Sequence, residues 1–314
     1  MQESSINARI TNEVIQQKKN AKIQTQWKKI KQFRFLYLLL LPLVIYFVVF
    51  SYIPLILGIS QSFQESKLLG ASEWVGFVNY QQVLTDPNFL ITLRNGLMIG
   101  LGTLVVTFLG GLLLALGLNE MQNKQAKTLV QTTSYLPYLF SWSVVGGMWV
   151  YILSANGVVN SLLTNWGMKS ILFLSEADIA QGLMILTGAW KVLGYTAVLF
   201  LASIVAINPS LFEAAQIDSA TRERQIRKLI LPELTQTMKT ILLLGLMGVF
   251  TNFEQIFVMG NPAINEKIST PLVYIFDNGI SKFNIGIATA AAVLVLILTI
   301  LVTFVFRKFV MDKE

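Results

Sequence analysis

The sequence predicts an all-α membrane protein with six transmembrane helices, both termini cytoplasmic, and a short cytoplasmic helix between spans four and five. Only 13% of the 314 residues are charged, about half the fraction found in soluble domains. Several uncharged runs are longer than the roughly 20 residues that a spanning helix needs. Lysine and arginine are also concentrated on alternate connecting segments.

The apolar runs place the spans in order along the chain. The first occupies residues 35–59, where Pro42 and Pro54 are tolerable because neighbouring groups can satisfy the freed carbonyls. The other spans fit residues 96–118, 134–153, 181–207, 240–259 and 284–306. Lys191 interrupts the fourth span and Glu254 lies within the fifth, so both are expected to need a partner or a wet cavity.

Basic residues set the predicted orientation. The inner segments, which carry 18 of the 24 lysines and arginines, are residues 1–34, 119–133, 208–239 and 307–314. The outer segments, which carry five, are residues 60–95, 154–180 and 260–283. This asymmetry follows the positive-inside rule. The net charge of +7 is therefore explained by topology, and we expect no nucleic-acid partner.

The composition also argues against an enzyme. The chain has no cysteine and no histidine, so it lacks thiol nucleophiles, imidazole bases and the commonest zinc ligands. It also lacks the G-x-x-x-x-G-K-[ST] loop that cradles nucleotide phosphates. We expect no metal and no cofactor in this chain.

Residues 1–34 form a cytoplasmic arm that is separate from the spanning domain, residues 35–314. Within the arm, Ile23, Trp27, Ile30 and Phe33 recur at helical spacing among lysines. That pattern is typical of a helix lying on anionic lipid with its apolar side down. A frayed basic anchor is an equally good interpretation.

The longest inner connection after the arm predicts two short helices. Asn208 and Pro209 are suited to cap and start the first helix. Ser219 offers a break, and Pro232 either ends the second helix or starts the climb into span five. That second helix fits residues 222–230 and has an apolar side, formed by Ile226, Leu229 and Ile230. Short loops suffice between antiparallel spans, so the segment is either a docking element for a soluble partner or a solvated loop.

Residues 213–232 resemble the EAA loop of permease subunits from ABC importers, whose pattern is E-A-A, three residues, G, nine residues, I, one residue, L-P. The corresponding residues are Glu213, Ala214, Ala215, Ser219, Leu229, Leu231 and Pro232. Asp218 and Ala220 also agree with the sugar-importer version. Ser219 and Leu229 replace the expected glycine and isoleucine. The serine leaves open whether the turn is left-handed.

The resemblance covers about residues 35–310. Within this range, the segments most similar to carbohydrate-importer permeases are residues 51–63, 74–90, 134–153, 188–215 and 270–293. Their likeness is greatest to the branch that handles complex oligosaccharides. The resemblance implies a multi-pass subunit in the cytoplasmic membrane of a bacterium. It would translocate a carbohydrate, an oligosaccharide in particular, by ATP-driven alternating access.

The same resemblance implies several partners. They are a second, homologous permease subunit in a heterodimer, two ATP-binding subunits, an extracellular substrate-binding protein and membrane lipid. ATP and Mg would be bound by the partner ATPase, with the charged loop as the coupling element. This chain would then be a conduit without catalytic residues.

Polar and aromatic residues in spans four and five are candidates for the translocation path: Trp190, Lys191, Tyr195, Asn252, Phe253 and Glu254. Lys191 and Glu254 either pair or line the path. Alternatively, Lys191 snorkels or satisfies a carbonyl, and Glu254 is interfacial. A different class of protein, a stand-alone secondary transporter or channel, would use these two residues as its coupling pair. An ABC importer for another solute, such as a polyamine, is a further alternative.

Overall fold

The computed structural model describes residues 32–65 and 72–311, and most of them lie in helices. The chain divides into two units, residues 1–60 and 61–314. Helix α1 (Arg34–Gln61) makes up nearly all of the described first unit. It widens to a π-helical turn at Val48–Tyr52, which shifts the hydrogen-bond register just before Pro54. The predicted helix of the arm lies in residues outside the described part of the chain.

The described second unit contains a two-stranded hairpin and thirteen helices. The strands are β1 (Gln64–Glu65) and β2 (Glu73–Trp74). The helices are α2 (Val78–Thr85), α3 (Pro87–Glu120), α4 (Lys124–Leu139), α5 (Trp142–Ile152), α6 (Val158–Asn165), α7 (Ala177–Val205), α8 (Pro209–Ile217), α9 (Arg222–Glu233), α10 (Thr235–Gly248), α11 (Glu254–Met259), α12 (Asn265–Ile268), α13 (Pro271–Phe276) and α14 (Ile285–Met311). A π-helical turn over Asp277–Ser281 extends α13.

Helices α3 and α7 form the central contact of this unit. Helix α3 begins where the Asp86 side chain accepts a hydrogen bond from the Asn88 N–H, with Pro87 at the first helical position. At 1.5 Å per residue it is about 50 Å long. Small residues bring the two helices close together. A Cβ added at Gly111 would lie 2.8 Å from the Thr196 side chain.

The predicted third span is wrong as a single helix. The chain forms α4 and α5 instead, separated by Phe140 and Ser141 in extended conformations. Pro137 has no N–H to continue the backbone ladder, and α4 ends two residues after it. The backbones of α4 and α7 lie in close contact. A Cβ at Gly194 would lie 2.0 Å from the Ser134 carbonyl oxygen, so only glycine fits there.

The predicted fifth span is also wrong as a single helix. Helix α10 ends at Gly248, and α11 begins only at Glu254. The carbonyl of Asn252, inside this break, accepts a hydrogen bond from the Thr270 hydroxyl at 2.5 Å. The break also approaches α3 closely, because a Cβ at Gly100 would lie 2.3 Å from the Val249 carbonyl oxygen. Tertiary contacts therefore hold the interruption.

Helical content and apolar helices confirm the coarse prediction of a helical membrane protein. Within the described residues, four helices are long and apolar enough to cross a membrane, namely α1, α3, α7 and α14. Helices α9 and α10 meet at a bend of 58° around Leu234 and pass the length and hydropathy test only as a pair, of which α10 overlaps the predicted fifth span.

Candidate functional site

The charged loop, residues 206–234 between α7 and α10, begins with the capped helix that the sequence predicts. The Asn208 side chain accepts a hydrogen bond from the Ser210 N–H at 3.1 Å, and Pro209 is the first residue of α8. No residue of α8 is buried. Its side chains face outward along most of the helix, and Ile217 is 84% exposed. A row of exposed side chains is thus presented at one end of the bundle.

Ser219 ends α8 in the left-handed conformation, with φ of +53°. The Ala220 N–H donates to the Ala215 carbonyl at 2.9 Å, and the Ser219 N–H donates to the Gln216 carbonyl at 3.0 Å. This pair of bonds is the Schellman motif, which usually has glycine at the left-handed position. Serine therefore makes the turn that the sequence left open, at a cost that glycine would not have.

Helix α9 anchors the loop to the bundle through one apolar face. Ile230 and Leu234 are fully buried in a cluster with Phe200 and Leu118, which lie on α7 and α3. Ile226 and Leu229 pack against the same cluster. This is the apolar face predicted from the sequence, except that the helix continues past Pro232 and breaks at Leu234.

The residues of the predicted coupling pattern lie on two surfaces. Ala215, Asp218, Ala220 and Leu229 line a shallow concavity together with Arg224, Gln225 and Lys228. Five others do not line that concavity: Glu213, Ala214, Ser219, Leu231 and Pro232. Of these, Glu213 and Ala214 are exposed on α8. The loop thus has a concave surface, called the cleft below, beside the exposed helix α8.

An ion pair that sequence reasoning missed ties the loop to α3. The Arg222 guanidinium forms a salt bridge with Glu120, the last residue of α3. Its Nε lies 2.9 Å from Oε1 and 2.8 Å from Oε2 of that carboxylate. The two residues are 102 positions apart in the sequence. The only sequence signal for the contact was that two inner segments contain residues of opposite charge.

A cavity of about 360 Å³ lies inside the second unit. Its described lining residues are uncharged: Gly100, Thr103, Leu104, Thr107, Phe108, Tyr138, Trp142, Gly188, Val192, Tyr195, Thr196, Leu199, Ile241, Leu244, Gly245, Gly248, Asn252 and Gln255. The rings of Tyr138 and Tyr195 stack at a centroid distance of 4.4 Å. Aromatic faces and small polar groups therefore share one chamber.

Two of the six residues predicted for the path, Tyr195 and Asn252, line this cavity. Trp190 instead packs edge-on against Trp149, and Phe253 packs against Phe257 and Phe276. These two aromatic residues were assigned to the path because aromatic side chains suit sugars. In the structure they fill contacts between helices.

Lys191 is 7% exposed and does not pair directly with Glu254. Its ammonium donates to the Tyr138 carbonyl at 3.2 Å and lies 5.5 Å from the centroid of the Tyr138 ring and 5.6 Å from that of Trp142. Within the described ranges, no ion pair of 4.0 Å or less joins Lys191 to Glu254. The Lys191 ammonium thus satisfies a backbone carbonyl, and it lies beside Tyr138 and Trp142, two aromatic residues that line the cavity.

Polar residues of the cavity wall were missed because they are uncharged. The hydroxyls of Thr103 and Thr107, one turn apart on α3, are buried without a hydrogen-bond partner among the described residues. Gln255, which is 1% exposed, accepts from the Asn252 amide at 2.9 Å and donates to the Met184 carbonyl at 2.7 Å. The adjacent residue Glu254 was predicted for the path instead, because it is charged.

Hydrogen bonds close the opposite end of the unit from the charged loop. The Asn95 amide donates to the Glu266 and Ser269 carbonyls at 2.9 and 3.2 Å. The Tyr274 hydroxyl donates to Asp86 at 2.7 Å. Burial, together with this hydrogen bond, raises the pKa of Tyr274 above its ordinary value.

The described residues hold no group of three or more histidine, cysteine, aspartate or glutamate side chains that would bind a metal ion. The charged loop and the cavity offer hydrogen-bonding groups, stacked rings and, in the loop, charged side chains.

A family model and individual relatives match this chain over most of its length. A sequence model of the family described as binding-protein-dependent transport system inner membrane component matches residues 107–312. Protein LplB of Bacillus subtilis (strain 168) is 32% identical over 96% of this chain and 99% of its own length. The polygalacturonan/rhamnogalacturonan transport system permease protein YteP of the same organism is 32% identical over 90% of each chain.

A solved structure has the same fold over most of its length. It is that of a bacterial alginate ABC transporter in complex with an alginate pentasaccharide-bound periplasmic protein. One of its chains matches with a TM-score of 0.83 and 30% identity, over 92% of this chain and 98% of that chain.

The turn at Ser219 yields a testable prediction. Ser219→Gly should stabilise the protein by about 1 kcal/mol, because glycine adopts positive φ without the Cβ clash. Ser219→Val should destabilise it, since β-branched residues avoid this region. The measurement is the midpoint of thermal unfolding of the full chain in detergent. Ser210→Gly, at an exposed helical serine of the same loop, is the control and should not stabilise. Equal effects of glycine at 210 and 219 would contradict the prediction.

Proposed function

The chain belongs to the family of binding-protein-dependent transport system inner membrane components, and from this we propose that it is the permease subunit of an ABC importer that takes up an oligosaccharide. The observation that carries the proposal is the exposed helix α8. It presents the E-A-A residues of the family's loop pattern and ends in a tight turn at the predicted break. YteP is named for polygalacturonan/rhamnogalacturonan transport and the solved structure is that of an alginate transporter, which favours a carbohydrate substrate.

The proposed topology has six spans, with the N-terminus, the C-terminus and the charged loop in the cytoplasm. Spans three and five are then broken helices, formed by α4 with α5 and by α10 with α11. Irregular backbone is tolerated at membrane depth where protein or a cavity surrounds it. Asn252, in the second break, meets that condition because it lines the cavity. The asymmetry of basic residues supports this orientation.

The charged loop is proposed as the docking site of a cytoplasmic ATPase. Glu213 and Ala214 are exposed on α8, and the cleft beside them carries Asp218, Arg224 and Lys228. Small residues let a partner backbone approach closely, and the mixed charges give it polar contacts. Two such ATPase subunits would bind ATP and Mg and hydrolyse the ATP. This chain would undergo the alternating-access movement.

The central cavity is proposed as this subunit's share of the translocation path. Sugars offer hydroxyl groups and apolar ring faces, and the cavity offers the Thr103 and Thr107 hydroxyls and the stacked Tyr138 and Tyr195 rings. A second, homologous permease subunit would complete the path. An extracellular substrate-binding protein would deliver the sugar, as the periplasmic protein of the alginate transporter complex suggests.

Reconstitution tests the proposed function. The chain should import a labelled oligosaccharide into proteoliposomes only together with its homologous permease, ATPase subunits, binding protein and ATP. Oligogalacturonides and neutral arabino-oligosaccharides are suitable probes for the first screen. Uptake by this chain alone, driven by an ion gradient, would instead establish a secondary transporter. ATP-dependent uptake of a polyamine would establish a different solute.

Docking is tested at Glu213. Glu213→Lys should reduce retention of the ATPase in a pull-down by about tenfold, because a repulsive contact at a docking surface costs about 1–2 kcal/mol. Oligosaccharide uptake should fall with it. Glu233→Lys makes the same charge change at another exposed carboxylate of the loop and should leave retention unchanged. Equal retention by the wild type and Glu213→Lys would exclude this residue from the interface.

The cavity is tested at Thr107. Thr107→Val preserves the shape of the side chain and removes a buried hydroxyl that lacks a partner, so folding should be unaffected or slightly stabilised. Uptake should fall by about tenfold if the hydroxyl contacts the passing sugar. Thr299→Val on α14, where the hydroxyl bonds the Val295 carbonyl, is the matched control for transport. Normal uptake by Thr107→Val would remove this residue from the path.

A further inference from the structure

We propose that Arg222 and Glu120 are positioning residues that transmit movement of the charged loop to helix α3, and through α3 to the wall of the cavity. The proposal rests on the proposed function, because it assigns a coupling role within that transporter. It concerns a contact that lies outside the E-A-A pattern.

The first step is the weak attachment of α8 to the bundle. Helix α8 buries none of its residues, and only Phe212 packs against the apolar cluster beneath it. A partner that moves α8 therefore acts mainly on the turn at Ser219 and on the start of α9 just beyond that turn. Besides the short connection to α7 at residues 206–208, where Ile207 is buried in the same cluster, the turn is the covalent route by which movement leaves α8.

The second step is a chain of polar contacts that starts at the turn. The Ala220 carbonyl, directly after Ser219, accepts from the Gln225 side chain at 3.2 Å. The Gln225 oxygen accepts from Arg222 Nη1 at 2.8 Å, and the same guanidinium holds Glu120. Gln225 is only 8% exposed, so this link is shielded from solvent at its centre.

The geometry of the ion pair suits the transmission of force. Arg222 donates to both carboxylate oxygens and to Gln225, so its planar guanidinium is held in one orientation. Arg227 and Glu223, in the same loop, form a simple pair at 2.8 Å between side chains that are 72% and 71% exposed. That second pair lies within α9 and reaches no other helix.

The third step is the continuity of α3. Glu120 is its last residue, and Thr107 lies 13 residues earlier on the same unbroken helix, about 20 Å away at 1.5 Å per residue. A shift of the Glu120 end therefore changes the position of the cavity wall. By contrast, α10 is separated from α9 by the bend at Leu234.

Because the Arg222–Glu120 ion pair is partly exposed, we expect its loss to affect coupling and not folding. Both side chains are 41% exposed, and ion pairs of this exposure add little to stability. Variants of Glu120 or Arg222 should therefore fold and assemble. They should fail in the step that converts ATP hydrolysis into transport.

The experiment measures sugar imported per ATP hydrolysed in the reconstituted complex. Glu120→Arg and Arg222→Glu should each lower this ratio by at least about fivefold, the lower end of usual coupling between two sites. ATPase retention should be unchanged. The double exchange Glu120→Arg with Arg222→Glu should return the ratio to within about twofold of the wild type, because the pair is restored with reversed charge.

The exposed pair supplies the matched control. Arg227→Glu and Glu223→Arg change the same charges in the same loop, and we expect a normal ratio. A normal ratio in the Glu120 and Arg222 single variants would overturn the proposal. So would loss of assembly in the singles without rescue in the exchange, since that result indicates a purely structural contact.

A distance measurement on the full chain tests the link without the partners. The sequence has no cysteine, so spin labels can be placed at Gln216→Cys on α8 and Gln122→Cys beyond α3. Arg222→Glu should broaden the distance distribution, and the exchange should narrow it again. An unchanged distribution would overturn the link even if the wild-type complex imported no sugar. Failure of the wild type to import sugar counts against the proposed function alone.

Discussion

The close contact between α3 and α7 is the constraint on which the rest of the second unit depends. Apolar helices gain little from hydrophobic burial within lipid, so their association depends on tight packing, which small residues permit. Gly111 meets Thr196 across this contact, and Gly194 on the far side of α7 admits the backbone of α4. The same two helices supply the cavity wall along their length and the apolar anchor of the charged loop at their ends.

The two broken spans follow from that packing. A chain that leaves the helical conformation inside a membrane protein must have its polar backbone satisfied by other protein groups. Between α10 and α11, the Thr270 hydroxyl donates a hydrogen bond to the Asn252 carbonyl. Gly100 has no side chain and so leaves space for the Val249 backbone. Asn252 in the break and Gln255 just after it line the cavity.

The charged loop combines an exposed helix with a firmly held one. Helix α8 has no buried residue, whereas Ile230 of α9 and Leu234 at its end are buried against α3 and α7. The left-handed turn at Ser219 fixes the angle between them, although serine adopts this conformation less readily than glycine. In the proposed function, the exposed first helix would contact the partner and the second helix would pass the displacement inward.

The class of the protein, the long spans, the charged loop and the position of its break were predictable from the sequence, because these depend on hydropathy, charge and local backbone preference. Asn208 and Pro209 cap α8 as expected, and Ser219 occupies the break. The tertiary structure alone decided where the third and fifth spans are interrupted, since the residues that satisfy those breaks come from distant helices. It also decided which side chains face the cavity. Tyr195 and Asn252 do, whereas Trp190 and Phe253 pack between helices, because facing depends on helix rotation and neighbours. The pairing of Arg222 with Glu120 was likewise invisible in the sequence, because two charges 102 residues apart meet only when α3 and α9 pack together.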